Sequence, residues 1–415
     1  MPGNDNKKTT PLTFPRKLRC IAIDACDKAK GTWPRWPKGR LPKLPGLDTV
    51  VRPRSVLWAG MAHGWCTDFF LADDDLHHGS QAYMEILLSI LDHVHHICQV
   101  TGRRFPQHLV LMTDNTVAQA KNQFVFVFLG LLVARRKFST ISLNFLMVGH
   151  THEHIDQLFA LFVEMVLRRH RFQSPKELAE AIDKEIGPVV REKGEECRVS
   201  EVKAVRDFYK WLSPLGVTPW KTFANRGGVE AAHSFTFLAF VDMDSAARLK
   251  AKSCPPRPAV LAGHGGSNTH DLDVYCLVKA YMRDTRPQQD PVLLLPISRA
   301  RAVTQAAPAT VLEHCPQEVK GPQEVKQHKV TKLLRLTTLR DLCRVPILGL
   351  FSAAAAIDEL IERSQTKQAV PNAGWLAVPP QALPPVVSTA NPIFPHLPEE
   401  TFHMAVRFRR GLGKG

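Results

Sequence analysis

Residues 108–114, His-Leu-Val-Leu-Met-Thr-Asp, form a short apolar run that ends in a carboxylate. A second run with the same form, Cys20-Ile21-Ala22-Ile23-Asp24, lies near the start of the chain. Short apolar runs bounded by polar residues are typical of buried strands. The two runs therefore predict two strands, each of which ends with an aspartate that could face a common point.

The segments around these runs alternate between the spacing of strands and the spacing of helices. Residues 55–63 and 65–72 are apolar runs separated by Gly64, which predicts a hairpin. Apolar residues recur at helical spacing after it, and Gly102 would cap the end of that helix. The same patterns predict further elements: helices over 81–100, 117–134 and 152–169, and a strand over 141–147.

The resulting order is strand, strand, strand, helix, strand, helix, strand, helix. This is the order of the ribonuclease H-like fold, so we expect an α/β core of that type over residues 18–172. Residues 1–17 are expected to be a disordered leader, and 173–300 an α+β companion region that contains further strands. Residues 301–415 carry a repeated Pro-Gln-Glu-Val-Lys segment and many prolines, which predicts a low-complexity, mostly disordered tail.

Three aspartates fit this fold as a metal site: Asp24 and Asp114 at strand ends, and Asp156 early in a helix. In this fold the first strand lies beside the fourth, and the last helix brings a third acid to them. Carboxylate oxygens suit Mg²⁺ or Mn²⁺, and two such ions would serve phosphodiester cleavage. Alternatives remain for each acid, since Asp114 could cap a helix, Asp156 could complement a helix dipole, and Asp27 could replace Asp24.

A histidine-rich stretch precedes Asp156 and offers a different kind of metal site. His150, His152 and His154 lie within six residues of it, and His152 shares a helix face with Asp156. Histidine and carboxylate ligands also suit zinc or iron, so a His/Asp metallohydrolase is an alternative. The zinc-protease pattern H-E-x-x-H is absent from this stretch, which favours the three-aspartate site.

The chain is basic, and its positive charge is concentrated around the first aspartate. The formal net charge is +15, and the first 60 residues hold 13 Lys/Arg against 4 Asp/Glu. Basic groups neutralise phosphates and tryptophan can stack on bases, so this loop predicts a nucleic-acid surface, with a solvated proline-rich loop as the alternative. The residues assigned to this surface are Lys28, Lys30, Trp33, Arg35, Trp36, Lys38, Arg40 and, beyond the loop, Lys121.

Three strings resemble an uncharacterised, transposon-derived eukaryotic domain family that is itself similar to DDE/D transposases. They are Asp24-Ala25-Cys26-Asp27-Lys28-Ala29-Lys30, then Thr113–Thr116 with Lys121–Gln123, then Val148–Phe159 with Gly-His-Thr-His and Asp-Gln. The resemblance covers roughly residues 19–171 and implies Asp24, Asp114 and Asp156 as the acids. It also marks motif residues of unassigned role: Asp27, Asn115, Asn122, His150, His152 and Gln157. Ala25-Cys26 and Lys28 depart from the family pattern, and a truncated element copy is expected.

Together these observations predict a metal-dependent enzyme that cleaves or transfers DNA strands, or an inactive descendant of one. The alternative from another class is a non-catalytic nucleic-acid-binding relic. DNA is the expected partner, a homo-oligomer is compatible with the sequence, and no membrane is expected because the longest apolar run is shorter than the roughly 20 residues of a spanning helix. The polar first residues predict a nuclear or cytoplasmic protein rather than a secreted one.

Overall fold

The computed structural model describes residues 18–37, 51–74, 76, 79–114, 119–135, 137–145, 154–217, 233–240, 273–279, 292–295, 322–345 and 349–365. The strands in chain order are β1 (Leu18–Ala25), β2 (Ser55–Ala62), β3 (Cys66–Asp73), β4 (His108–Thr113), β5 (Thr140–Phe145), β6 (Glu196–Val202), β7 (Ser234–Phe240), β8 (Asp273–Lys279) and β9 (Val292–Leu295). The helices are α1 (Ser80–Thr101), α2 (Gln123–Ala134), α3 (His154–Phe162), α4 (Pro175–Glu185), α5 (Gly187–Glu192), α6 (Phe208–Leu212), α7 (Pro322–Cys343) and α8 (Phe351–Gln365). A π-helical segment, Val163–Leu167, continues α3.

All nine strands belong to one mixed sheet, in the order β6-β3-β2-β1-β4-β5-β7-β8-β9. Strand β1 runs antiparallel to β2 and parallel to β4, and β4 runs parallel to β5. The molecule is therefore a mixed α/β protein, as the sequence predicts, with β1 and β4 side by side within the sheet.

Helices cover both faces of this sheet, because its strands alternate apolar side chains towards two separate cores. On one face, which we call the α1 face, α1, α2 and α6 pack against residues such as Ile23, Trp58 and Leu111. On the other, the α3 face, α3, α4, α7 and α8 pack against residues such as Ala22, Leu57 and Phe69.

Helices α1 and α2 show how sequence fixes these packing layers. Helix α1 ends at Gly102, whose φ of 66° is the left-handed conformation that glycine adopts at low cost. Helix α2 is apolar on all sides and fully packed. A Cβ on Gly130 would come within 2.6 Å of a terminal methyl group of Leu294, so a larger residue there would force this β9 side chain to move.

The predicted companion region is corrected by the sheet topology. Strand β6 pairs with β3 at one edge of the sheet, and β7 pairs with β5, followed outwards by β8 and β9. Strands assigned to a smaller region beyond residue 173 thus extend the same sheet.

The predicted disordered tail is also corrected in part, since α7 and α8 lie within residues 301–415. Leu339 and Ile357 of these helices are fully buried in the core of the α3 face. Arg363 of α8 bonds Asp73 at the end of β3 at 3.0 Å, with both side chains buried. The predicted leader, residues 1–17, lies outside the described residues. None of the described helices has the length and apolar character needed to cross a bilayer.

Candidate functional site

The parallel strands β1 and β4 place two of the predicted acids at their carboxyl ends, on the same side of the sheet. The last paired residues of these parallel strands are Ile23 and Thr113, and each is followed directly by an aspartate, Asp24 and Asp114. Neighbouring strands lie about 4.8 Å apart, so two carboxylates that leave adjacent strands at the same level are close.

Because side chains alternate between the two faces along a strand, the side chain of Asp24 lies on the α3 face. Ala22 and Cys26, two residues to either side of it, are buried in the core of that face, while Ile21 and Ile23 belong to the opposite core. Met112, two residues before Asp114, also packs against the core of the α3 face.

Helix α3 lies on this face and carries the third acid. Ile155, Leu158 and Phe159 are buried in the same core as Ala22 and Ala59 of the sheet. Asp156 lies in the first turn of α3, half-buried, between Ile155 and Gln157.

The electrostatics of Asp24 record the proximity of all three acids. The pKa of Asp24 is raised from 3.8 to about 6. Burial is the largest cause, the hydrogen bond from the Ala25 amide lowers the pKa, and the charges of Asp114 and Asp156 raise it. That amide donates to Asp24 Oδ1 at 2.7 Å. Among the described residues, the charges that shift the pKa of Asp24 are those of Asp114 and Asp156.

The alternative roles of the three acids can now be judged. Asn122 caps α2, because its side chain accepts a hydrogen bond from the Phe124 amide at 2.8 Å, so Asp114 is not that cap. Asp156 lies where it complements the dipole of α3, as its alternative role requires, and its metal-binding role stays a prediction. Asp27 is exposed and lies in the turn after Cys26, whereas Asp24 is part of β1.

The other predicted site residues differ in exposure, and some lie outside the described residues. Gln157 is exposed on α3, and Lys30 and Arg35 are half-buried in the loop after β1. Lys28 begins a 3-10 turn, Lys28–Gly31, but its side chain lies outside the described residues. Five further predicted residues lie outside the described residues: Lys38, Arg40, Asn115, His150 and His152.

Two residues assigned to nucleic-acid binding are corrected. Trp33 is 1% exposed and donates from Nε1 to Ser55 Oγ at 3.1 Å, so its ring is part of the core and cannot stack on a base. Lys121 is 2% exposed, with its ammonium 5.5 Å from the centre of the Phe145 ring, so it is not available to phosphate on a surface.

A pair of histidines, one not predicted, lies at the start of α3. The rings of His63 and His154 meet edge to face with centroids 5.3 Å apart. Burial and the charge of His154 lower the pKa of His63, while Glu195 raises it. His63 follows β2 and its backbone N–H bonds Cys20, at the end of β1 away from Asp24.

A second cluster with metal-ligand chemistry, also missed by the sequence analysis, lies on the α1 face. Cys66, Asp68 and His93 place their ligand atoms within 4.8 Å of one another and are all buried, so they could hold a metal ion. A C-x-D pattern on a strand places both side chains on one face, which is the signal that could have found two of the three. No other trio of such side chains among the described residues is this tight, so the three aspartates are spaced more widely.

The polar surroundings of this second cluster already balance its charge. Asp68 is fully buried and accepts from His93 Nδ1 at 2.8 Å and from Arg198 Nη2 at 2.7 Å. His93 Nε2 lies 3.2 Å from Glu196, and burial raises the pKa of the Cys66 thiol. The buried carboxylate of Asp68 is thus paired with the guanidinium of Arg198 and hydrogen-bonded to the imidazole of His93.

One family is similar to this chain over somewhat less than half of its length. Residues 56–250 match a domain of unknown function (DUF7869). The matched segment contains Asp114 and Asp156 and begins after Asp24. No curated protein and no solved structure matches the chain.

Proposed function

We propose that this protein is a divalent-metal-dependent enzyme that cleaves or transfers phosphodiester strands of DNA, built on a ribonuclease H-like core of transposon origin. The observation that carries the proposal is that the charges of Asp114 and Asp156 act on the half-buried Asp24 and help to raise its pKa. The neighbouring positions of β1 and β4 support it, because that core needs its first and fourth strands side by side.

A divalent cation would offset the repulsion among the three acids. Three negative charges close together repel one another, and burial adds to the cost of charging Asp24. A divalent cation held by the three carboxylates would remove this repulsion.

The proposed roles follow from position. Asp24, whose pKa both other acids affect, would hold the metal together with Asp114 and Asp156. Bound Mg²⁺ or Mn²⁺ would supply an activated water or 3′-hydroxyl and stabilise the leaving oxygen. The exposure of Asp114 leaves this edge of the sheet open to a large substrate.

Nicking of supercoiled plasmid DNA with Mn²⁺ tests the proposal. Asp24→Asn should lower the rate at least about 100-fold, because a transition-state contact of several kcal/mol is lost. Asp27→Asn, an exposed acid three residues away, is the matched control and should keep the wild-type rate. Equal loss in both variants, or nicking unaffected by Asp24→Asn, would reject the three-aspartate site.

The non-catalytic relic makes the opposite prediction for the same assay. A relic would bind plasmid and would nick it no faster than buffer with Mn²⁺ at any concentration. The uncompensated charge at Asp24 favours the enzyme over the relic, since a protein that no longer binds metal gains stability by replacing or pairing such an acid.

A further inference from the structure

Three arginines lie close together at the end of β1 that carries Asp24, where the chain leaves β1 and enters β2. We call Arg35, Arg52 and Arg54 the arginine patch. Arg35 lies in the loop after β1, and Arg52 and Arg54 directly precede β2. Arg54 is exposed, and the other two are half-buried.

The backbone around the arginine patch is held in place by pairing with two other segments. Arg35 and Phe172 exchange two backbone hydrogen bonds, at 2.8 and 3.1 Å. Thr32 pairs with Arg54, and the Trp33 amide donates to the Pro53 carbonyl at 3.1 Å. The side chains of the patch therefore project from a fixed framework rather than from a free loop.

The guanidinium groups of the patch repel one another. Burial lowers the pKa of Arg52, and the charges of Arg35 and Arg54 lower it further. Arg52 Nη1 donates to the Pro34 carbonyl at 2.7 Å, and Arg35 Nη1 to the Lys30 carbonyl at 3.1 Å. These contacts fix the arginines without neutralising them.

No acid offsets this charge within the part of the chain that the structure describes. The ion pairs found there include none between a carboxylate and Arg35, Arg52 or Arg54. Arg171, one residue before Phe172, adds a fourth cation, with its guanidinium 5.3 Å from the centre of the Trp36 ring. A concentrated and uncompensated positive surface favours a polyanion.

The patch and the aspartates share one end of β1. The thiol of Cys26 feels the charges of both Lys30 and Asp24, so the loop that carries Arg35 begins within electrostatic range of the acids. Trp33 of that loop and Ala22 of β1 are buried in the same core on the α3 face.

We infer that the arginine patch binds the phosphodiester backbone of duplex DNA and holds it against the aspartate site. The inference rests on the proposed function and specifies its substrate contact. Arginine suits this role because its planar group donates two parallel hydrogen bonds to a phosphate. Arg52 and Arg54 are separated by one residue at the start of β2, so both can contact one strand of the backbone.

The test compares two double variants that lose the same charge. Arg52→Ala/Arg54→Ala removes patch residues, whereas Arg168→Ala/Arg344→Ala removes exposed arginines that are paired with Glu164 and Asp358. Affinity for a fluorescent 30-base-pair DNA duplex is measured by anisotropy over a range of NaCl concentrations, with EDTA present. Each phosphate contact contributes about 0.9 to the slope of log K against log salt, so the patch variant should lose nearly 2 from the slope.

The control should change the slope by less than half that amount. An equal change of slope in both double variants would mean that only the net charge matters. An unchanged slope in the patch variant would mean that DNA binds to another surface, and either result overturns the inference. Arg54→Ala alone guards against misfolding, because Arg54 is exposed, and it should lose nearly 1 from the slope.

Failure of the patch and failure of the metal site give different results. The patch variant should bind Mn²⁺ in calorimetry with the wild-type affinity, and Asp24→Asn should keep the wild-type salt slope for DNA. Loss of Mn²⁺ binding in the patch variant would contradict a separate DNA-binding role. Wild-type protein that binds DNA through the patch but binds no Mn²⁺ would leave the inference standing and reject the enzyme.

Discussion

The two faces of the sheet each bury an acid, but they surround it in opposite ways. On the α1 face, Asp68 is fully buried and bonded to Arg198 and His93. On the α3 face, the pKa of Asp24 is shifted by burial and by two further acids. A buried charge that is paired with a cation holds a structure together, whereas a half-buried charge among like charges is costly. The comparison therefore favours a structural role for the Asp68 surroundings and supports the metal-binding role that we propose for the Asp24 site.

Removal of the arginine that is paired with Asp68 should have the largest effect on the free energy of unfolding. Arg198→Ala leaves the carboxylate of Asp68 buried with one partner fewer, and we expect the free energy of unfolding to fall by about 3 kcal/mol. Urea denaturation at pH 7 measures it. Arg191→Ala, which removes an exposed partner of Asp183, should cost less than about 1 kcal/mol. Equal costs would show that burial does not separate these pairs.

Removing the charge of Asp24 should instead raise the free energy of unfolding. Without metal, Asp24→Asn should raise the free energy of unfolding at pH 7, by about 3 kcal/mol at most, because the folded pKa of about 6 lies above the usual 3.8. The folded state holds the proton more tightly than the unfolded state does. The wild type therefore loses stability as pH rises from about 4 to about 6, and the variant does not.

Urea denaturation in EDTA at pH 4 and pH 7 checks both the sign and the pH window. Asp27→Asn is the control, since this acid is exposed. A variant less stable than wild type at pH 7, with no difference in its pH dependence, would contradict the raised pKa of Asp24.

Mg²⁺ should stabilise the protein through the Asp24 site. Mg²⁺ at ten times its dissociation constant should stabilise the wild type by about 1.4 kcal/mol, which corresponds to a rise in Tm of a few degrees. Asp114→Asn should show a much smaller rise in differential scanning fluorimetry. The same rise in both proteins would mean that Mg²⁺ acts through another site.

The smallest effect is expected from a variant of the Cys66 cluster, which tests whether the two faces of the sheet act independently on Mg²⁺ affinity. Cys66→Ser alters the buried cluster on the α1 face and should change Mg²⁺ affinity less than about twofold, because separate sites add independently. Calorimetric titration of this variant measures the ratio. A loss of tenfold or more would show that the Cys66 cluster, and not the aspartate site, is the one that holds Mg²⁺.

Local sequence patterns predicted the elements that carry the aspartates. The bounds of β4 were predicted as they stand, and α1 and β5 to within a few residues, because their apolar spacing is regular. Helix α2 begins at Gln123 rather than at residue 117, since Asn122 caps it. Strand β6, Glu196–Val202, was missed because it is a half-exposed edge strand of mixed polarity.

What the sequence could not give is which distant segments meet. Strands β7 to β9 were predicted as strands, but their pairing next to β5 depends on contacts across about 90 residues. The same limit hid the cluster of Cys66 and His93, which lie on a strand and a helix. It also misassigned Trp33 and Lys121, because residue type near a site does not report burial.

Titration calorimetry with Mg²⁺ and then Mn²⁺, on wild-type protein and on Asp114→Asn, tests the central claim most directly. The account predicts binding in the low-millimolar range or tighter by the wild type and its loss in the variant, because Asp114 is one of three acids that repel one another without a cation. Absence of binding in both proteins, or equal binding by both, would contradict a metal site at Asp24, Asp114 and Asp156.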